Sequence, residues 1–355
     1  MNYYLSEKNL NGKYNAINKA RKDVEEIEMQ MNLEPLYVNT KYGVVKNKFL
    51  KWIQFFTYSL NYKKLNKRMN ELKPYDIIFI QYPLVNSVLG LEKILSRCKK
   101  RNIITIAIIH DLDSLRYEKV SKRIKSEDKN ALKRFTYIIA HNLKMKQKLI
   151  EYGNNEEKII SLEIFDYLLD DDFKIKNHLK SEPIIIAGNL SSEKARYLDE
   201  LKNIKNVNFN LYGKGYIEKD YKNINYKGCF LPEELLEHLE GSFGLIWDGD
   251  SKDECRGQFG NYLRYNNPHK TSLYLVAGIP VIVWEEAAIA DFIKKNNLGI
   301  IVKNLDEIEK KVNELTKEDY EKMKQNVREI SNKMRNGEYM KDSINTVLTK
   351  VQYKN

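Results

Sequence analysis

Short apolar runs rich in isoleucine recur along the chain, each followed by a stretch whose apolar residues return every three to four positions. The first half holds such runs at 3–5, 36–39, 76–81, 103–109, 136–140 and 159–162. Between the first two, Ile17, Ala20, Val24, Ile27 and Met31 keep the spacing of one helix face. A strand apolar on both sides must be covered on both faces, and helices between strands supply that cover. The pattern predicts a parallel α/β sheet built from strand–helix–strand units. It restarts at 184–187 and continues through 207–212, 243–247, 280–283 and 299–302.

A restart of this kind implies two doubly wound, Rossmann-like domains, and 355 residues suffice for two cores. The acidic, polar stretch 170–182, closed by Pro183, reads as the linker. The expected division is a first domain over 1–168, a second over 183–317, and C-terminal helices over 318–355. In the tail, Tyr320, Met323, Val327, Ile330 and Met334 share one face, and the helices are expected to pack back toward the first domain. No apolar run approaches the ~20 residues of a membrane span, and no apolar segment follows a basic start as in a signal peptide. Cys98, Cys229 and Cys255 are too few and too far apart for a disulfide framework or a CxxC metal site. A reducing, cytoplasmic setting is expected.

The net charge of +11 is unevenly placed. Residues 1–165 carry 31 Lys and Arg against 18 Asp and Glu, whereas the remainder carries 29 against 31. No helix-turn-helix, RNP or zinc signature accompanies the excess, so no nucleic-acid partner is expected. Part of it lies in 44–73, with eight basic residues, one acid, and Phe49, Trp52, Ile53, Phe56 and Leu60 on one face. Such a segment suits peripheral contact with an anionic membrane. It also suits a helix packing its aromatic face on the sheet, or a mixed arrangement in which the core takes Trp52 while Lys63, Lys64, Lys67 and Arg68 face lipid or a partner subunit.

Open α/β sheets bind ligands outside the carboxyl ends of their strands. In the second half these ends carry Gly188-Asn189-Leu190-Ser191-Ser192, with a helix expected from Glu193, and Tyr212-Gly213-Lys214-Gly215. The longest motif runs from Asn266 to Val283. Pro268 suits a helix start, and Gly278-Ile279-Pro280 suits its end and the launch of a buried strand. His269 and Lys270 then fall in the first helical turn, where the helix dipole gives a cation no advantage. A bound diphosphate gives one.

The Pro-x-Lys-x4-Leu-x-Ala-Gly-x-Pro-Val-Ile pattern resembles the nucleotide-sugar helix of GT-B glycosyltransferases. With Gly260-Asn261-Tyr262-Leu263-Arg264-Tyr265 before it, the block is similar to one bacterial family in particular. That family contains β-1,6-galactofuranosyltransferases and the adhesin-glycosylating glucosyltransferase 3, which extends GlcNAc on serine-rich adhesins. Ala187–Ser191, Gly244–Asp248 and Ile109–Arg116 resemble it too. The resemblance implies a GT-B fold with a UDP-sugar donor held by the second domain. By position, Gly188, Asn189, Tyr212, Asn266, His269, Lys270 and Ser272 would surround the UDP, with Trp247 and Asp248 nearby. Leu273 stands where many GT-B transferases carry a Glu for the ribose, so the ribose must be held differently here. The relatives form β linkages, which favours inversion. They also carry a small-residue loop followed by a Lys, matched here by Asn15 and Lys19, and they form homo-oligomers.

In the first half, the strand 103–109 runs into His110-Asp111-Leu112-Asp113. An inverting transfer needs a group that removes the acceptor hydroxyl's proton. Asp111 is the first candidate, with His110 and Asp113 behind it; alternatively, Asp111 or Asp113 caps the next helix while Arg116 neutralises it. Asp111-Leu112-Asp113, Asp248-Gly249-Asp250 and 170–172 match the acidic signature that binds Mn²⁺ or Mg²⁺ in GT-A enzymes. In a GT-B architecture Lys and helix dipoles replace the metal, so no essential metal and no other cofactor is expected. The expected activity is transfer of galactofuranose or glucose from a UDP-sugar to a glycan, lipid-linked oligosaccharide or glycoprotein at a bacterial surface. The alternative is a non-catalytic GT-B-like subunit that recognises a glycosylated partner.

Overall fold

Continuous apolar runs become the buried strands of two parallel sheets in the computed structural model, which describes residues 1–9, 16–40, 65, 67–84, 90–116, 122–169 and 172–353. The first sheet contains β1 (Asn2–Asn9), β2 (Glu34–Thr40), β3 (Ile77–Tyr82), β4 (Ile104–Ile109), β5 (Tyr137–Ala140) and β6 (Ile159–Ser161), in the order β2-β1-β3-β4-β5-β6. The second contains β7 (Ile184–Ala187), β8 (Phe209–Tyr212), β9 (Ile224–Gly228), β10 (Phe243–Ile246), β11 (Val281–Trp284) and β12 (Gly299–Val302), in the order β12-β11-β10-β7-β8-β9. Every neighbouring pair is parallel. Strand order reverses between β1 and β3 and between β7 and β10, and those reversals open the crevices in which such sheets bind ligands.

Two local expectations give way. Strand β9 was not anticipated, because its sequence INYKG alternates buried and exposed positions and it forms the sheet edge. No α-helix starts at Glu193. Ala195 instead forms an isolated parallel bridge with Gly249, and a 3₁₀ segment follows over Arg196–Asn203. The chain turns over 192–194 and is pinned at Ala195 by that bridge where a helix would have begun.

Of the two long tail helices, Lys317–Arg335 packs on the second core through Tyr320, Met323, Val327, Ile330 and Met334. Glu338–Gln352 crosses to the first sheet and buries Met340, Ile344, Val347 and Val351 against Tyr4, Phe79 and Ile108. Each such side chain contributes roughly 1.5–3 kcal/mol on burial, so this helix ties the two halves together. The crossings are strapped side by side. The Asp166 carboxylate accepts from the Tyr339 and Met340 amides at 3.3 and 2.7 Å, and the Tyr167 amide donates to the Met334 carbonyl at 3.3 Å. No helix among the described residues is long and apolar enough to cross a membrane.

Candidate active site

The two sheets turn their carboxyl ends toward one cleft, which holds a cavity of about 520 Å³. That volume is within the usual range for a small-molecule site. Its second-domain wall depends on the helix His269–Val276, whose placement is fixed by one tyrosine. The Tyr274 ring lies against β10 where residue 244 is glycine, and a Cβ there would meet the ring at 2.2 Å. Its hydroxyl accepts the Ala187 amide at the end of β7, at 2.7 Å. The helix start is thereby aligned with the ends of β7 and β10. Gly213, with φ 141°, closes the same wall. A Cβ there would strike the Gly188 carbonyl, so the turns after β7 and β8 pack backbone to backbone.

Lys270, in the first turn, donates to the Trp247 carbonyl at 2.7 Å and to Asp248 Oδ1 at 2.8 Å. The other oxygen of Asp248 faces Lys194 at 3.8 Å. Burial pulls the Lys270 pKa down and Asp248 opposes that shift. Two ammonium groups and the unpaired amides of a helix start thus converge on one patch of the cavity, an arrangement suited to a diphosphate.

The first-domain wall carries His110, Asp111, Arg116, His141 and Phe165. The Gln81 amide nitrogen donates to the Arg21 carbonyl at 3.2 Å, which turns its oxygen toward His110 Nε2 at 2.8 Å. His110 therefore donates from Nε2 and keeps an open lone pair on Nδ1. Burial pushes its pKa well below the usual value, so the ring is neutral. Asp111 lies 3.0 Å from Arg116 and hydrogen-bonds the Tyr262 hydroxyl, which itself accepts the Leu112 amide at 2.9 Å. Burial raises the Asp111 pKa, and Arg116 and Tyr262 oppose it. Asp113 opens the short helix Asp113–Arg116 outside the cavity lining. Asp128, not Asp113, serves that helix start, accepting the Ser114 amide at 2.8 Å.

A buried latch joins the walls. Asn267 donates its side-chain amide to the His141 and Glu163 carbonyls at 2.7 and 2.8 Å, and its backbone amide to His141 Nδ1 at 3.0 Å. Its oxygen accepts from Asn142 at 2.7 Å. His141 completes the set from Nε2 to the Ile109 carbonyl at 3.1 Å, and burial lowers its pKa to about 3. Each buried partner left unsatisfied would cost about 1–3 kcal/mol.

Comparison with known proteins places this geometry. The family models described as Glucosyltransferase 3-like, N-terminal domain and C-terminal domain match residues 2–164 and 184–347. The chain is 33% identical over 352 residues to the β-1,6-galactofuranosyltransferase WbbI of Escherichia coli (strain K12), covering 98% of each. The chain belongs to the glucosyltransferase 3-like family of glycosyltransferases. It is also 26% identical over 284 residues to glucosyltransferase 3 of Streptococcus parasanguinis, covering 78% of this chain and 79% of that one. Its fold is GT-B. It superimposes on the lipopolysaccharide outer core galactosyltransferase WaaB in its apo form with a TM-score of 0.60 at 13% identity, over 99% of this chain and 100% of that one.

In this glucosyltransferase 3-like chain the cavity gathers Gly188, Asn189, Tyr212, Asp248, Asn266, His269, Lys270, His110 and Asp111. Three other candidates stand behind its wall. Trp247 is buried, its indole donating to the Ser251 carbonyl at 2.9 Å, and only its backbone carbonyl serves Lys270. Ser272 donates to the Phe165 carbonyl at 2.8 Å, so it joins the domains and does not face the cavity. Lys19 bonds Asp23 and, at 2.7 Å, the Leu168 carbonyl, holding a crossing segment. Asn15 lies outside the described residues, as do 44–64 and 170–171. Sequence reasoning missed Lys194, His141, Phe165 and Asn267. The strand-end rule applied after β4 would have found His141 after β5; nothing local marks Phe165.

Proposed function

We propose that this chain transfers a hexose, galactofuranose or glucose, from a UDP-sugar to a hydroxyl of a glycan, lipid-linked oligosaccharide or glycoprotein, with inversion and without an essential metal. The carrying observation is the opposition across one cavity of Lys270, at a helix start with Lys194 beside it, and a half-buried carboxylate, Asp111. UDP sits against the second-domain wall with its diphosphate at Lys270, Lys194 and the first-turn amides. These groups stabilise the charge that grows on the departing UDP. Asp111 accepts the acceptor's proton as the hydroxyl oxygen bonds to the anomeric carbon and the bond to UDP breaks. Tyr262 and Arg116 hold the carboxylate in place, and the Asn267 latch keeps the two walls in register.

The absence of a metal requirement is supported by how the acidic pairs are employed. Asp248 is engaged by Lys270 and Lys194, Asp250 by Arg256 at 3.0 Å, and Asp111 by Arg116. Release of UDP from UDP-glucose, UDP-galactose, UDP-GlcNAc and UDP-galactofuranose, with lipid-linked and GlcNAc-peptide acceptors, tests the activity. Turnover should survive EDTA within about twofold, since the charge is met by lysines. Abolition by EDTA with rescue by Mn²⁺ would defeat the metal-free mechanism. Silence with every donor, and no UDP binding, would favour the non-catalytic subunit.

The same proposal sets the protein on the inner face of the cell membrane as a homo-oligomer, with the basic residues of 44–73 meeting anionic lipid while Leu65, Met69 and Leu72 pack in the first core. Salt-sensitive co-sedimentation with anionic liposomes is the expected result, and its absence at low salt would retire the membrane contact. A monomer by light scattering would retire the oligomer.

A further inference from the structure

Two side chains in the cleft carry polar atoms that the fold itself does not use. Both ring nitrogens of His269 and Oδ1 of Asn266 are buried, and none has a hydrogen-bond partner among the described residues. Both residues line the same cavity. Unpaired buried polar atoms are a standing cost to a fold, and three in one cavity mark where a polar ligand is received.

Position indicates which part of the ligand they meet. The Lys270 ammonium turns to Trp247 and Asp248, deep in the second-domain wall. His269, its neighbour, turns the other way, with its ring 4.9 Å from that of Phe165. Phe165 also stacks on His110 at 5.5 Å, and His110 adjoins Asp111. His269 therefore stands between the cations suited to the diphosphate and the strand end that carries the base. In a glycosyl transfer, the group between the diphosphate and the attacking hydroxyl is the sugar being moved.

The chemistry of the two groups agrees. Burial lowers the His269 pKa to about 4, so the ring is neutral and brings no charge to a phosphate. A neutral imidazole offers one donor and one acceptor, and an Asn oxygen accepts. Sugar hydroxyls both donate and accept, and match that set. Resting on the UDP-sugar reading above, we propose that His269 and Asn266 bind hydroxyls of the donor's hexose, not its diphosphate, and so help to choose the sugar. This reassigns His269 and Asn266 from the UDP to the transferred group.

Calorimetric titration of the full chain with UDP and with each UDP-hexose, for wild type, His269→Ala, His269→Gln and Asn266→Ala, tests the assignment. UDP affinity should stay within about threefold in all variants, whereas affinity and kcat/KM for the accepted UDP-hexose should fall roughly 10–100-fold in the alanine variants. His269→Gln keeps a donor and an acceptor, should retain part of the activity, and guards against a folding defect in His269→Ala. A deoxy-hexose donor lacking the contacted hydroxyl should lose affinity with wild type and lose little more with the variant. Equal losses for UDP and UDP-hexose would overturn the hexose assignment and leave the UDP-sugar reading standing. Unchanged kcat/KM in both alanine variants would overturn it as well. Failure of the wild type to bind UDP or any UDP-hexose would overturn both.

Discussion

Asp111→Asn is expected to lower kcat by about 10²–10⁴-fold while leaving UDP affinity within about threefold, because it removes a proton acceptor and little else. The amide keeps the shape of the carboxylate and can still accept from Tyr262 and Arg116. The partly exposed ion pair with Arg116, whose side chains are 27% and 25% accessible, is worth at most about 1 kcal/mol, so the variant should fold. The wild-type pH profile supplies a second readout. Burial raises the Asp111 pKa, so the base is lost as the pH falls through a value above that of an ordinary aspartate. The acid limb of kcat/KM should lie there and vanish in the variant. Retention of more than about a tenth of kcat would transfer the role to another group. His110, with its open Nδ1, would be examined next.

Lys270→Met should cost about 10²–10³-fold in kcat/KM, much of it in kcat, because the charge it meets grows as UDP departs. Methionine preserves the stem in a buried slot and deletes the ammonium. A structural loss is separable from a catalytic one. Removing Lys270 leaves Asp248 with Lys194, 3.8 Å away, as its remaining cation. If an orphaned carboxylate caused the defect, Lys270→Met/Asp248→Asn would recover activity. If the ammonium acts on the diphosphate, the double variant stays as slow as the single one. Full activity in Lys270→Met would end the phosphate role of this helix start. Rescue by the double variant would reduce Lys270 to a partner of Asp248.

Much of this site was legible in the chain. His110 and Asp111 follow the continuous run that becomes β4, and Lys270 follows a proline that starts a helix. Both are local chemistry at strand and helix ends. What escaped is where the remaining side chains of the motifs point. Asn267, in the most distinctive block, bonds His141, Asn142 and Glu163, more than 100 positions earlier. Ser272 reaches the carbonyl of Phe165. Trp247 fills the second core beside Trp284, their rings 6.3 Å apart. Strand β9 escaped because one exposed side of an edge strand weakens the apolar signal.

By itself the sequence determined the two parallel sheets, the position of the helix that opens at His269, and the strand end that carries Asp111. Continuous apolar periodicity and Gly/Pro punctuation act over a few residues and need no distant partner. Only the tertiary structure decided which polar groups face the cavity and which are consumed in holding its walls together. Lys194 reaches Asp248, Tyr262 reaches Leu112 and Asn267 reaches His141 across spans of chain that no local pattern encodes. A buried polar group is committed by whatever partner packing brings within about 3 Å.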